Sequence, residues 1–509
     1  MRVLWICLTT GLFMFNLVSQ PLGVFDAATD VGNPKLKGNT VYDATQQKYT
    51  ISGAGYNIWF NRDEFHYAHK KLKGDFILTA DFAMTSPGSD PHRKYGWMVR
   101  ESLDEDAAHM TAAYHVGDGL TAMQWRVLRG AYMRDPEDEI FFNKRKVRTI
   151  QLERRGATYF MRVANWGEPL QVVGSHTMDN LKGEVFAGIF IGSHHPEVVE
   201  ETVVWNVRID YPVRPGFNFY SADTLISRLE IMSPFDGQRK VIHSGTTPFE
   251  APNWMPDGRQ LLFNQKGSLY TISTSGGPLT KHNTGFADRL NNDHVISFDG
   301  KLLGISHSRS GKRGGGSTVY VLPLAGGTPK LITEETPSYL HGWSADNRDV
   351  VYVAYRDTVS RNPLYHLYKK NINGGPEIKL TDHTFGHVDG PEYSPDGQWI
   401  YYNGSQSGTM QLWRMKPDGS GKEQLTFDAY NNWFPHISPD GKWIVYIAFE
   451  PDINPGDHPP CKPVSLRLMP AGGGAPRVIA HLYGGQGTIN VPSWSPDSKH
   501  IAFVSYGGK

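Results

Sequence analysis

Cysteine is nearly absent. The 509 residues include two, Cys7 and Cys461. Cys7 lies in the apolar N-terminal segment, so once that segment is removed no internal disulfide can form. Stability must then come from packed cores. An excess of charge is missing too: 51 basic residues face 51 acidic ones. A nucleic-acid binder would carry a basic surplus, and no run of like charge marks a charged tail. Past the first residues no stretch approaches about 18 apolar residues, which excludes a further membrane-spanning helix. The sequence also lacks a Gly-x-Ser-x-Gly elbow, a P-loop, a Cys-x-x-Cys pair, a His-Glu-x-x-His helix and a dinucleotide fingerprint.

What is present is turn and strand material: 54 glycines, 33 prolines and 12% aromatic residues. The N-terminus reads as an export signal over residues 1–28. Arg2 is followed by an apolar run from Val3 to Val18, and then by small residues at Ala27 and Ala28. The run is short for a membrane span, so a cleaved signal is expected. That implies an exported protein, periplasmic or extracellular, with no integral span after signal removal.

One phrase recurs six times in the C-terminal half. It reads Asn253-Trp-Met-Pro-Asp-Gly258, Ile296-Ser-Phe-Asp-Gly300, Gly342-Trp-Ser-Ala-Asp-Asn347, Glu392-Tyr-Ser-Pro-Asp-Gly397, His436-Ile-Ser-Pro-Asp-Gly441 and Ser493-Trp-Ser-Pro-Asp-Ser498. The shared aspartates are spaced by 42, 47, 50, 44 and 57 residues. A period of about 40–50 residues suits a four-stranded propeller blade. Pro-Asp-Gly is turn chemistry, so these aspartates are expected to shape turns and not to catalyse. An apolar strand follows each turn, then a second strand, a Gly-rich turn and a short strand. The last repeat stops after two strands. The missing pair, Arg228–Ser233 and Arg239–His243, precedes the first repeat and can complete the last blade. The expectation is an all-β protein whose residues 221–509 form a six-bladed propeller closed by its own N-terminal strands. Closure removes exposed sheet edges.

These phrases resemble the TolB-like propeller family. Some relatives are partner-binding platforms of the cell envelope, and others precede a serine-peptidase domain, for which this chain has no room. The N-terminal domain of TolB is α/β, whereas residues 30–211 here alternate as strands, as in Phe76–Met84, Lys146–Arg154 and Glu184–Ile191. A β-sandwich is expected there, with residues 212–220 as linker. Gly96-Trp-Met-Val-Arg-Glu-Ser102, with the Thr121–Arg129 strand after it, resembles the concanavalin-A-like jelly-roll modules of carbohydrate-active proteins. Trp59, Trp97 and Trp125 can stack on sugars or fill the sandwich core. Exposed rings beside Arg100 and Arg126 would favour sugar.

Registering the repeats on the shared aspartate exposes a polar constellation. Five residues before it stand His294 and His341; four before, Asn253, Glu392 and His436; seven before, Glu250, Asn292, Asp389 and Asn490. If these converge on one channel mouth, His294, His341 and His436 can ligate one divalent metal ion, with Asn253, Asn292, Asp389, Glu392 and Asn490 contacting ligand. Such a metal can acidify a carbon beside a uronic carboxylate or polarise a bond for hydrolysis. The arrangement resembles that of oligogalacturonate lyases, which are propellers with a histidine-rich metal site in the channel. The alternative is a polar network that satisfies a wet channel. His194, His195, His383 and His387 fall off the register and read as loop histidines. Three functions stay open: an exported binding protein for carbohydrate or an envelope partner, a metal-assisted polysaccharide lyase or glycoside hydrolase, and an envelope scaffold.

Overall fold

The computed structural model describes residues 22–508, apart from 89, 144, 222, 223, 313 and 358–363. Of the segment read as an export signal, residues 1–21, Cys7 among them, lie outside the described residues. The first half is a sandwich of two seven-stranded antiparallel sheets. One sheet runs Ala27–Val31, Phe65–Leu72, Val185–Gly192, Lys94–Arg100, His109–His115, Thr121–Arg126 and Glu139–Phe142. The other is centred on Phe76–Met84 and the long His195–Asp210 strand. The alternation read from Phe76–Met84 holds: Phe76, Leu78, Ala80 and Phe82 enter the core between the sheets. The sandwich begins earlier than residue 30. Phe25 is buried against Tyr49 and Trp97, the Tyr49 hydroxyl donates to the Leu22 carbonyl, and Ala27–Val31 is an edge strand.

The second half is a ring of six blades. Five are four-stranded sheets, and the sixth joins Ile501–Gly508 to Leu225–Met232 and Arg239–Gly245. Leu225–Met232 pairs with Ile501–Gly508 along its full length, Leu225 opposite Gly508 and Met232 opposite Ile501. The strands that open the domain thus close the ring. The innermost strand of that blade is reduced to a bridge between Trp494 and Ile501.

The recurring phrase builds one turn five times over. Ser297 Oγ donates to Asp299 Oδ1 at 2.7 Å, Asp299 Oδ1 accepts from the Lys301 amide, and Ser297 Oγ accepts from the Leu302 amide. Ser344/Asp346, Ser394/Asp396, Ser438/Asp440 and Ser495/Asp497 repeat the contact. The residue after each aspartate is left-handed, with φ near +70° at glycine, +59° at Asn347 and +60° at Ser498. The aspartates are committed to turns.

The two halves are packed together. Gln47 exchanges hydrogen bonds with the Val241 backbone, Arg148 donates to the Asp236 carbonyl, and Arg228 lies 2.7 Å from Asp210. The segment read as a linker is docked: the Val213 amide donates to the Tyr483 hydroxyl, and Phe219 is buried against Tyr506.

Candidate functional site

Each inner strand runs from one end of the channel to its Asp-Gly turn at the other. The turn end holds a cleft of about 430 Å³ lined by Asn253, Val295, Phe298, Gly342 and Glu392. The opposite mouth opens into a larger cavity of about 900 Å³, lined among others by Glu250, Asn292, Asp293, Tyr339, His341, Tyr365, His387, Asp389, His458 and Asn490. The polar positions read from the repeat therefore split between two ends.

A bulge in the inner strands decides which side chains face the mouth. Pairing skips one residue between Glu250 and Asn253, Leu340 and Gly342, Asp389 and Glu392, and Trp433 and His436. Ala251, Gly390 and Phe434 take positive φ there. In the second blade Leu290 pairs with His307 and His294 with Ile305, so two residues are extra and not one. A one-residue difference moves a strand's side chains to the opposite face. Asp293 therefore lines the cavity in the second blade, while His294 turns inward.

This corrects the expected three-histidine metal site. His294 is fully buried beside Leu262 and Ala251 of the preceding blade, and burial pushes its pKa down to about 4. His436 Nδ1 lies 2.7 Å from Glu392 Oε2, and its Nε2 lies 2.7 Å from the Ile489 carbonyl. Both ring nitrogens are thus engaged by protein oxygens, and neither is turned towards His294 or His341. His341 Nε2 lies 3.0 Å from Asp389 Oδ1 at the mouth. His341 and His436 thus pair with separate partners, His294 is enclosed apart from both, and among the described residues the three share no centre. Asn253 and Glu392 serve the blade joints: Asn253 donates to the Pro492 carbonyl, and Glu392 Oε1 accepts from the Ile437 amide.

The sandwich tryptophans do not form a sugar-stacking face either. Trp97 is core and donates to the Ile150 carbonyl; Trp125 is buried and stacked on His176 at 3.8 Å; Trp59 is half-buried. Arg100 and Arg126 are fully buried around Asp63, with Arg126 holding both carboxylate oxygens at 2.6 and 2.8 Å.

At the mouth the remaining groups form a graded set of acids. Burial raises the Glu250 carboxyl to about 7, opposed by the Asn292 amide at 3.2 Å and assisted by the Asp293 charge. Burial raises Asp293 to about 6, where the nearby His341 pulls down and Asp389 pushes up. Burial is the largest effect on Asp389, but His341, joined by His458 and His387, overcomes it and holds that carboxyl at about 2. His341 in turn is raised, its desolvation overcome by Asp389 and Asp293. His458 lies 3.8 Å from the second Asp389 oxygen and packs on Trp433 and Phe434. Asn490 Oδ1 accepts from the Gly487 amide and fixes the adjoining loop. Asp293, His387 and His458 were not picked out by register. For His458 a signal existed: the 57-residue interval is the longest, and its extra residues, 450–461, carry this histidine to the mouth.

Comparison with known proteins places the ring. Residues 343–454 match the family described as the TolB beta propeller domain. An uncharacterised protein of Agrobacterium fabrum is 45% identical over 281 residues, 55% of this chain and 92% of that one. The chain belongs to the TolB-like β-propeller family. A solved structure described as a putative TolB from Agrobacterium tumefaciens is 44% identical with a TM-score of 0.52, covering 56% of this chain and all of that one. The Tol-Pal system protein TolB of Anaeromyxobacter dehalogenans is 28% identical over 140 residues, 27% of this chain and 31% of its own length. The family match itself falls within the ring, at residues 343–454. Among the described residues no helix is long and apolar enough to cross a membrane.

Proposed function

We propose that this is an exported envelope binding protein whose TolB-like ring takes a donor-rich segment of a partner protein at the channel mouth. The observation that carries the reading is the cavity of about 900 Å³ with Glu250, Asp293 and Asp389 on its wall. Two buried carboxylates and a half-buried third in one cavity favour a ligand that brings ammonium, guanidinium or hydroxyl donors. Relatives named for the Tol-Pal system support a protein partner. Placing a photo-crosslinking phenylalanine analogue at Tyr365, in the mouth, and at Phe298, at the turn end, tests it in cells. Adducts from position 365 and none from 298 are expected. Equal adducts at both ends, or none at the mouth, would sink the reading.

A carbohydrate ligand is the second reading, favoured by Tyr339 and Tyr365 standing beside these carboxylates. On it, the N-terminal sandwich would be a concanavalin-A-like module, and Glu250 has a pKa suited to moving a proton near neutrality. Calorimetry with neutral and uronic oligosaccharides, alongside assays for chain cleavage, separates binding from lyase or hydrolase chemistry.

A further inference from the structure

A second polar cluster lies far from the channel, on loops at one end of the sandwich. His115 ends the His109–His115 strand and is 4% exposed, yet neither of its ring nitrogens has a hydrogen-bond partner. An imidazole buried in that state is costly unless something is bound to it. The ring faces Asp118 Oδ2 at 3.8 Å, and the same oxygen lies 2.9 Å from His92 Nδ1. One ligand atom from each of His92, His115 and Asp118 falls within 4.8 Å of the others, and among the described residues no other set of three such side chains does so. His194 stands next to them, its ring centroid 5.3 Å from that of His92 and its Nδ1 3.3 Å from Asp90.

We propose that His92, His115 and Asp118 hold one divalent transition-metal ion of the zinc class, with His194 placed to supply a fourth ligand. Two lengths support this. Bonds of about 2.0–2.2 Å in a tetrahedron set neighbouring ligand atoms ~3.4 Å apart, and the observed 2.9 and 3.8 Å straddle that value. Two or three imidazoles and a carboxylate suit zinc, copper, nickel or cobalt, whereas calcium and magnesium prefer all-oxygen shells.

The loops are fixed before any ion arrives. The Val116 amide donates to the Arg93 carbonyl and the Asp118 amide to the Pro91 carbonyl, both at 3.0 Å. Asp118 Oδ1 accepts from the Leu120 amide, leaving Oδ2 for the cluster. The nearby Lys94 ammonium is engaged by Asn57 Oδ1 at 3.3 Å, and Asp118 and Asp90 offset the charge of an ion.

The test uses the full chain without a polyhistidine tag, stripped with chelator and titrated with Zn²⁺ by calorimetry. Co²⁺ uptake, followed by its visible absorption, gives a second readout. One ion per chain is expected, with affinity falling roughly tenfold or more in His92→Ala and in Asp118→Asn. His341→Ala, at the propeller mouth, should bind as the parent does, and Ca²⁺ should not compete. His92 is half-exposed, so its variant is expected to fold even where a His115 variant does not, and circular dichroism checks this. Absence of stoichiometric uptake by the parent chain, or uptake unchanged in both His92→Ala and Asp118→Asn, would overturn the site.

Discussion

A carboxyl buried without a cation keeps its proton, and Glu250 is such a group. It is 6% exposed, its nearest polar partner is the Asn292 amide, and its pKa is raised to about 7. An acid with a raised pKa binds more protons folded than unfolded between about pH 4.5 and 7. Stability is therefore lost as pH rises through that window, and the full cost is present above it. Asp293, raised to about 6, adds to the same trend. Asp389 does not, because His341 keeps it ionised down to about pH 2. Glu250→Gln removes one ionisation and keeps the shape. Urea unfolding at pH 8 should find the variant more stable than the parent by on the order of 1–3 kcal/mol, with the gap closing by pH 4.5. A gap of equal size at both pH values would mean that Glu250 is not titrating in this range. The same charge that costs stability at pH 8 is what a donor-bearing ligand would compensate.

At the scale of the strand, the site is made by bulges, and the bulges are held from the neighbouring blade. Asn264 Nδ2 donates to the Leu290 and Asn291 carbonyls, Ser306 Oγ accepts from the Leu340 amide, and Asn403 Oδ1 accepts from the Phe434 amide. All three stand seven residues after their blade's shared aspartate. Asn264→Ala should release the double bulge that turns Asp293 into the cavity. A loss of about 2 kcal/mol in urea unfolding is expected, and with it a weaker dependence of stability on pH between 5 and 8. Lost stability with an unchanged pH dependence would mean that Asp293 is held by other contacts. The same elements mark what the sequence could reveal. The aspartate-centred turn is local chemistry, so six repeats and their count were legible, as was closure by Arg228–Ser233 from the tally of strands. The bulge is set by a side chain some thirty residues away, on another strand. Register on the aspartate therefore aligned His294 with His341 although they face different ways. In the sandwich, alternation revealed strands, but it could not tell that Trp97 and Arg126 point to the interior, since both faces of strands such as Lys94–Arg100 are buried.

At the scale of the whole chain, one carboxylate couples ring closure to the domain joint. Glu230 lies on the strand that completes the sixth blade and is fully buried. Its Oε2 lies 2.5 Å from Arg208 Nη2 of the sandwich, and its Oε1 lies 2.8 Å from Arg239 Nη2 on the next strand of the blade. Ser505 Oγ, on the final strand, donates to the same Oε1. Burial alone would raise this carboxyl, but the two guanidinium groups outweigh it and hold it far below the usual range. With a depressed pKa, its contribution is complete above about pH 4.5, the ordinary value for Glu, and is lost only as pH falls below that. Glu230→Ala would strand two buried cations, and breaking such a network costs about 3–5 kcal/mol. Because the three partners belong to the sandwich and to the opening and closing strands of the sixth blade, the loss should not be confined to one domain. Calorimetry of the parent should show the halves unfolding together, and Glu230→Ala should split that transition, with the propeller melting first. A variant that melts in a single step at the parent temperature would show that the strand pairing of Leu225–Met232 with Ile501–Gly508 closes the ring without this charge. The joint would then rest on the Gln47 and Arg148 contacts instead.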